Sequence, residues 1–473
     1  MDGAYKLLAI SVTSIGSFLA VINSTSLLIS LPTIMISLHT TFLFIIWVLV
    51  IYPLVMTIGS PIFGRYSDFI GRKQLYGLGY IFFTIGSLLA SSSINIDMLI
   101  AARAIQGLGG SLLFSNSLAI IADAFRQDEL KWAIGTNSLI IGFATAIGPL
   151  VGGILTVLNW RYVFVFNVPF GIAGYFMSLK IHDIEKRQVK AAKLPSVFFS
   201  IFIILLIIYM TFAPPNNWIS FSGLAYIISI AVSFILFIYF TGRSENSLID
   251  ISLFKIREFA VQAISTFLNS ITRYSILLIA IIMLQGPLSL SPLTSSLMVM
   301  PYAVALSLAS YFVGRVHRKG MEDHLIYAGL FLSFFGSFML FFVRDASLPF
   351  YIGITLVGFG IGIFYTPSNA ILMSTAPPNK RGSAAGLRTV ILNLGSVIGM
   401  SMVFSVVAAL VPESALSSAF LGVKIAQVNA VKPDFLDGIG LSFLISGLSS
   451  LLAAVIVSIS HMKRAKSSAV STH

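Results

Sequence analysis

The stretch "GRYSDFIGRK" (residues 64–73) packs Arg65, Asp68, Arg72 and Lys73 into ten positions, with long runs almost free of charge on either side. Only 10% of the 473 residues are charged, 57% are hydrophobic, and the mean hydropathy is +0.96. A soluble globular chain carries about 25% charged residues. Apolar runs of ~18 or more residues cross a ~30 Å hydrocarbon layer as helices; barrel strands alternate over about ten residues, which these runs do not. In lipid the backbone must satisfy its own polar groups, which leaves helices. The chain reads as an all-α, multi-pass membrane protein, and 64–73 as a short charged turn between its second and third spans.

Fourteen spans are expected, near 7–31, 42–63, 75–94, 98–122, 133–157, 163–179, 195–213, 219–241, 259–284, 293–314, 325–343, 349–376, 384–411 and 437–461. With both termini on one face, that face holds 22 of the 29 Lys and Arg residues and the opposite face 4. The other 3, Arg103, Arg273 and Arg388, lie inside spans. This is the positive-inside asymmetry, so both termini read as cytoplasmic, in a cell membrane. The net charge of +12 therefore orients the chain; divided among short loops, it offers no track for nucleic acid. The absence of cysteine removes disulfide and thiol chemistry. The N-terminus runs into the first span without a small-residue cleavage site and reads as a retained helix.

Landmarks recur about 250 residues apart. Gly64-Arg65 returns as Gly314-Arg315, and "GLGGSLLFSN" (107–116) matches "GIGIFYTPSN" (360–369), pairing Gly107, Gly109 and Asn116 with Gly360, Gly362 and Asn369. Gly135 returns as Gly386, and Gly148 as Gly399. Six spans with short loops use roughly 180–190 residues, so the offset leaves room for two helices between the halves. The expected organisation is a six-helix bundle at 1–180, a linker with two additional spans at 181–243, and a second six-helix bundle at 244–473. The "GFGIG" at 358–362 lies mid-span with no strand before it, and reads as helix packing rather than a nucleotide loop.

Gly64, Asp68, Gly71, Arg72 and Lys73 resemble the loop between helices two and three of the major facilitator superfamily. "LIAARAIQGLGG" (99–110) is similar to its helix-four motif, through Arg103, Gln106 and Gly107, and "AIGPLVGG" (146–153) to the helix-five motif of its exporters. "WRYVFVFNVPFG" (160–171), "SLIDISLFKIREFA" (247–260) and "LQGPLSLSPL" (284–293) resemble the fourteen-helix drug:proton antiporter branch. The resemblance implies two rocking bundles and alternating access. It implies a cytoplasmic gate at Gly64, Asp68, Gly71, Arg72 and Lys73, and a seal favouring export at Gly148, Pro149, Gly152 and Gly153. The plainer readings are that the loop only fixes topology and that the glycines only pack helices. One departure stands in the loop: Phe69 follows Asp68 where the family commonly has Arg.

The same resemblance places the cavity on spans one, four, nine and twelve. These carry Asn23; Arg103, Gln106 and Asn116; Gln262, Thr266, Asn269 and Arg273; and Asn369. Gln262, Thr266, Asn269 and Arg273 share one helical face, and such a polar stripe should face protein or water. Asn23 and Arg103 fall at depths that would let them hydrogen-bond. The branch typically reads D-x-T in helix one; this chain reads "NST" at 23–25, and no acidic residue or histidine falls deep within a span. Arginine does not titrate in proteins. The expectation is a secondary exporter of a small amphipathic solute, its cavity biased toward anionic or neutral cargo. Proton linkage would then rest on the cargo or on rim carboxylates. The alternatives are a proton-coupled antiporter for lipophilic cations and a non-transporting sensor on the same fold. Paired buried acids, a metal cluster or a nucleophile–base pair are missing from the inventory, so neither an enzyme nor a cofactor is expected.

Overall fold

The computed structural model describes residues 3–182, 193–212, 220–244, 250–316, 321–377, 380–410 and 426–471. Its helices are α1 (Gly3–Ser37), α2 (Phe42–Ile70), α3 (Arg72–Ser91), α4 (Ile96–Ala124), α5 (Gln127–Leu158), α6 (Tyr162–Val165), α7 (Asn167–Ser178), α8 (Lys193–Phe212), α9 (Phe221–Arg243), α10 (Arg257–Gln285), α11 (Pro292–Val316), α12 (Glu322–Phe341), α13 (Leu348–Thr375), α14 (Arg381–Leu410) and α15 (Ala426–Ser471). Thirteen of them are long and apolar enough to cross a membrane. Most overrun the expected spans, because hydropathy marks the apolar stretch while the hydrogen-bonded helix continues into its polar flanks.

The fourteenth expected span is the short pair α6–α7. Its opening is tied to the α3–α4 link by Arg161, whose Nη2 donates to Ser93 O at 2.8 Å. Its far end meets the start of α1, where the Tyr5 and His182 rings lie 4.7 Å apart. The pair thus runs from one face of the bundle to the other. Pro169 has no N–H to give to the Val165 carbonyl, which accounts for the break near Phe166.

The opening stretch is not a loop. Helix α2 runs through Gly64 to Ile70, and the whole reversal falls on Gly71, at φ 119°. Only glycine adopts that conformation without strain. Gly64 needs no such freedom, since a Cβ there would meet Ser115 Cβ at an ordinary 3.6 Å.

In the first bundle α1 packs on α5 and α4, α2 on α4, and α3 on α4 and α7. In the second, α10 packs on α14, α15 and α13, α11 on α13, and α12 on α13 and α15. The bundles meet along two seams, α5 on α11 and α2 on α14. The additional hairpin α8–α9 is central only in sequence. In space it is peripheral, with α8 lying along the α2–α14 seam and α9 packing on α8. Ser405 Oγ of α14 donates to Met210 O of α8 at 2.8 Å.

The repeat is real, but its register on the fourth helices of the two bundles shifts. A Cβ on Gly107 would strike Tyr52 O, and one on Gly358 would strike Tyr302 O. Gly109 lies against Gly79 and Phe83, and Gly360 against Gly329 and Ser333. The packing therefore pairs Gly107 with Gly358 and Gly109 with Gly360, two residues from the pairing read off "GLGGSLLFSN". Asn116 and Asn369 are not equivalent. Gly148 lies against Thr25, and Gly399 against Ile271 and Ser275, which keeps their pairing and sets Asn23 opposite Arg273 in the repeat.

Candidate functional site

A cavity lies between the bundles. The first bundle lines it with Ala20, Val21, Ser24, Thr25, Leu49, Pro53, Met56, Arg103, Phe114, Ile141 and Thr145. The second supplies Arg273, Tyr274, Tyr365, Leu392, Asn393, Ser396 and Met400. Two guanidinium groups stand in this wall, and among the described residues none that lines it is acidic or a histidine.

The two arginines differ in how they are held. Arg103 is 1% exposed; its Nε donates to Val48 O at 3.1 Å, its Nη1 to Gln106 Oε1 at 2.5 Å, and it stacks 4.4 Å over the Tyr52 ring. Gln106 Nε2 donates in turn to Ser87 Oγ at 2.7 Å and Asn23 Oδ1 at 3.2 Å, and Asn167 Nδ2 reaches the same Asn23 oxygen at 3.3 Å. Asn23 and Arg103 are joined through Gln106 rather than directly. Asn23 and Gln106, both fully buried, stand behind the cavity wall. Sequence reasoning missed Asn167 and Tyr52; an asparagine in an apolar run was the available signal.

Arg273 is open to the cavity. Its Nη2 donates across the seam to Thr145 Oγ1 at 3.4 Å, and its carbon Cζ lies 5.4 Å from the Tyr274 ring and 5.5 Å from the Tyr365 ring. Among the described residues no acid forms an ion pair with it. Tyr302 on α11 fixes the backbone beneath it, donating to Arg273 O at 3.0 Å. Behind Tyr365 stands Arg388, whose Nη2 donates to the tyrosine hydroxyl at 2.5 Å and whose Nε donates to Asn369 Oδ1 at 2.5 Å. Tyr365 and Arg388 were also missed as site residues; an arginine inside a span and a tyrosine one helical turn before Asn369 were the clues.

The remaining expected residues do not line this cavity. Asn116 Nδ2 bonds back to Leu112 O at 2.7 Å on its own helix. Gln262 and Asn269 are buried within the second bundle, and Thr266 bonds Ser368 at 3.0 Å. Only Arg273 of that polar stripe reaches the cavity.

On the face carrying the start of α1, Arg72 forms an ion pair with Asp123 and donates to Ala119 O at 3.1 Å, a contact inside the first bundle. The side chain of Asp68 lies outside the described residues. Lys380 pairs with Asp250 at 2.8 Å. Burial pushes the Asp250 carboxyl up, but hydrogen bonds from Lys380 and Ser252 and the lysine charge together hold it below the usual carboxylate range.

Toward the opposite face the bundles touch. Gln285 Nε2 of α10 donates to Ile29 O of α1 at 2.9 Å. Of the helix-five glycines, Gly148 and Gly152 lie against Thr25 and Ser26 of α1, within the same bundle; Gly153 lies across the seam against Ser296 and Pro292 of α11. At the other end of α5 and α14, a Cβ on Gly135, Gly142 or Gly386 would meet nothing within 4 Å.

Residues 13–254 and 262–470 match the family model described as Major Facilitator Superfamily. The chain belongs to that superfamily. It is 28% identical over 403 residues to the riboflavin transporter RibZ of Clostridioides difficile, covering 83% of this chain and 86% of the relative. It is 28% identical over 410 residues to the multidrug resistance protein Stp of Mycobacterium tuberculosis, covering 85% of this chain and 76% of that one. Among solved structures, a bacterial homologue of the human lysosomal transporter Spinster aligns with TM-score 0.64 at 12% identity, covering 97% of each chain. The human transporter MFSD10 aligns with TM-score 0.63 at 15% identity, covering 97% of this chain and all of that one. This major facilitator protein is thus a multi-pass membrane transporter of small molecules, not an enzyme.

Proposed function

We propose that this transporter exports a small amphipathic solute by alternating access, through a cavity that prefers anionic or neutral cargo. The observation that carries the reading is Arg273, an arginine facing the shared cavity beside Arg103 with no acidic lining residue. At about 6 Å and an effective dielectric of ~20, one unit charge contributes roughly 3 kcal/mol, about a hundredfold in affinity between an anionic and a neutral cargo. A multidrug resistance protein and a multidrug efflux pump among the relatives support export, and another relative, RibZ, is a riboflavin transporter.

In this reading the domains at 1–180 and 244–473 are the moving bodies. The Gln285–Ile29 and Gly153–Ser296 contacts close one end, and the end carrying the termini, cytoplasmic by its positive charge, stands open. Gly64, Asp68, Gly71, Arg72 and Lys73 serve the gate on that side. The "NST" at 23–25 takes the acid of the drug:proton branch out of helix one, so any proton travels on the cargo or a rim carboxylate. The test is transport in inverted vesicles: an amphipathic anion is accumulated, and Arg273→Ala abolishes accumulation. Uptake of cationic dyes driven by a pH gradient, with Arg273→Ala fully active, would favour the cation antiporter.

A further inference from the structure

Resting on the anion reading above, the geometry points to a narrower cargo class: flat aromatic acids, held by Arg273 between the rings of Tyr274 and Tyr365. Three features carry it. First, Arg273 reaches Thr145 through one long hydrogen bond of 3.4 Å and also engages the Tyr365 hydroxyl, which leaves several of its five N–H donors for a carboxylate. Second, the fork is flanked by two aromatic rings, at 5.4 and 5.5 Å from Cζ, within the ~6 Å over which guanidinium and π-face attract. A planar aromatic carried in by its acid group finds faces to stack on, whereas an alkyl chain gains only apolar area.

Third, the polar wall is rich in donors. Besides the guanidinium groups, Asn393 lines the cavity with a buried Nδ2 that has no partner, a donor suited to a ring nitrogen or carbonyl of the cargo. The Tyr365 ring is not free to swing, because Arg388, itself held by Asn369 Oδ1, donates to its hydroxyl from behind. Arg388 and Asn369 are therefore positioning residues, and Tyr365 touches the cargo.

The experiment measures thermal stabilisation of the purified full-length protein by 2-naphthoate, decanoate and 1-naphthylmethylammonium. Naphthoate should bind about tenfold tighter than decanoate, and the ammonium should give no stabilisation. Tyr365→Leu should lower naphthoate affinity about tenfold while leaving decanoate within about twofold. Parity of the two acids, no binding of naphthoate, or equal losses for both acids in Tyr365→Leu overturns the aromatic inference. Parity in which both acids bind and the ammonium does not leaves the anion reading standing. Binding of the ammonium as tight as that of naphthoate removes the anion reading, and the inference with it.

Discussion

Asn23 and Arg273 occupy equivalent places in the two bundles, yet one is locked in an amide network and the other open to the cavity. Asn23 accepts from Gln106 and Asn167, so its oxygen serves two donors that a carboxylate would serve equally well. Asn23→Asp should therefore fold, and should place a titratable acid one residue away from Arg103 in the network. The expected outcome is a new pH dependence and a shift of cargo preference toward cations, read as pH-gradient-driven dye uptake in vesicles. An unchanged preference would mean that the network does not set the charge of the cavity. The arginines inside the spans were legible in the sequence because a charge in an apolar run has few homes. Their division of labour was not legible, since it depends on Val48 O, Gln106 and Tyr52 reaching Arg103 from other helices.

Glycines decide where helices may touch, and the structure sorts those that matter from those that do not. A Cβ on Gly152 would lie 2.2 Å from Ser26 O, a backbone atom that cannot step aside, whereas Gly135 faces open space. Gly152→Ala should cost about 1–3 kcal/mol through separation of α1 and α5. Gly135→Ala should gain about 0.5–1 kcal/mol by stiffening the unfolded chain. Denaturation of the two variants side by side checks both signs. In the α9–α10 link, Asp250 is held below its ordinary range by Lys380 of the α13–α14 link, so its contribution is present above the unfolded carboxylate value and fades as pH falls through the lower folded one. Asp250→Asn should thus lower the melting temperature at pH 7, and the deficit should shrink below about pH 4. Helix number and order were legible from hydropathy and the positive-inside asymmetry. The Gly71 turn was read as a ten-residue loop because Arg65, Asp68 and Arg72 look like loop residues, although helix α2 carries the first two. The helix-four register slipped by two because spaced glycines match one another at several offsets; only their neighbours on α2, α3, α11 and α12 fix the pairing.

Rocking of the bundles requires the Gly153–Ser296 contact to open in each cycle. A Cβ on Gly153 lies 2.7 Å from Ser296 Cβ, so a disulfide between cysteines at both positions needs about an ångström of relaxation. With no native cysteine, oxidised Gly153→Cys/Ser296→Cys protein should lose transport and regain it on reduction; full activity with the cross-link complete would mean that this seam does not open. The two-bundle plan was visible in the repeat, but the peripheral seat of α8–α9 was not, because a uniformly apolar helix carries no signal for which neighbour it covers. The central claim is that Arg273 sets the electrical preference of the shared cavity. Its most direct test is calorimetric titration of a matched ligand pair, one skeleton bearing either a carboxylate or an ammonium, into wild-type and Arg273→Gln protein. The account predicts that wild type binds the acid at least about tenfold tighter and that Arg273→Gln erases the difference; tighter binding of the ammonium by wild type, or a preference for the acid that survives Arg273→Gln, would contradict it.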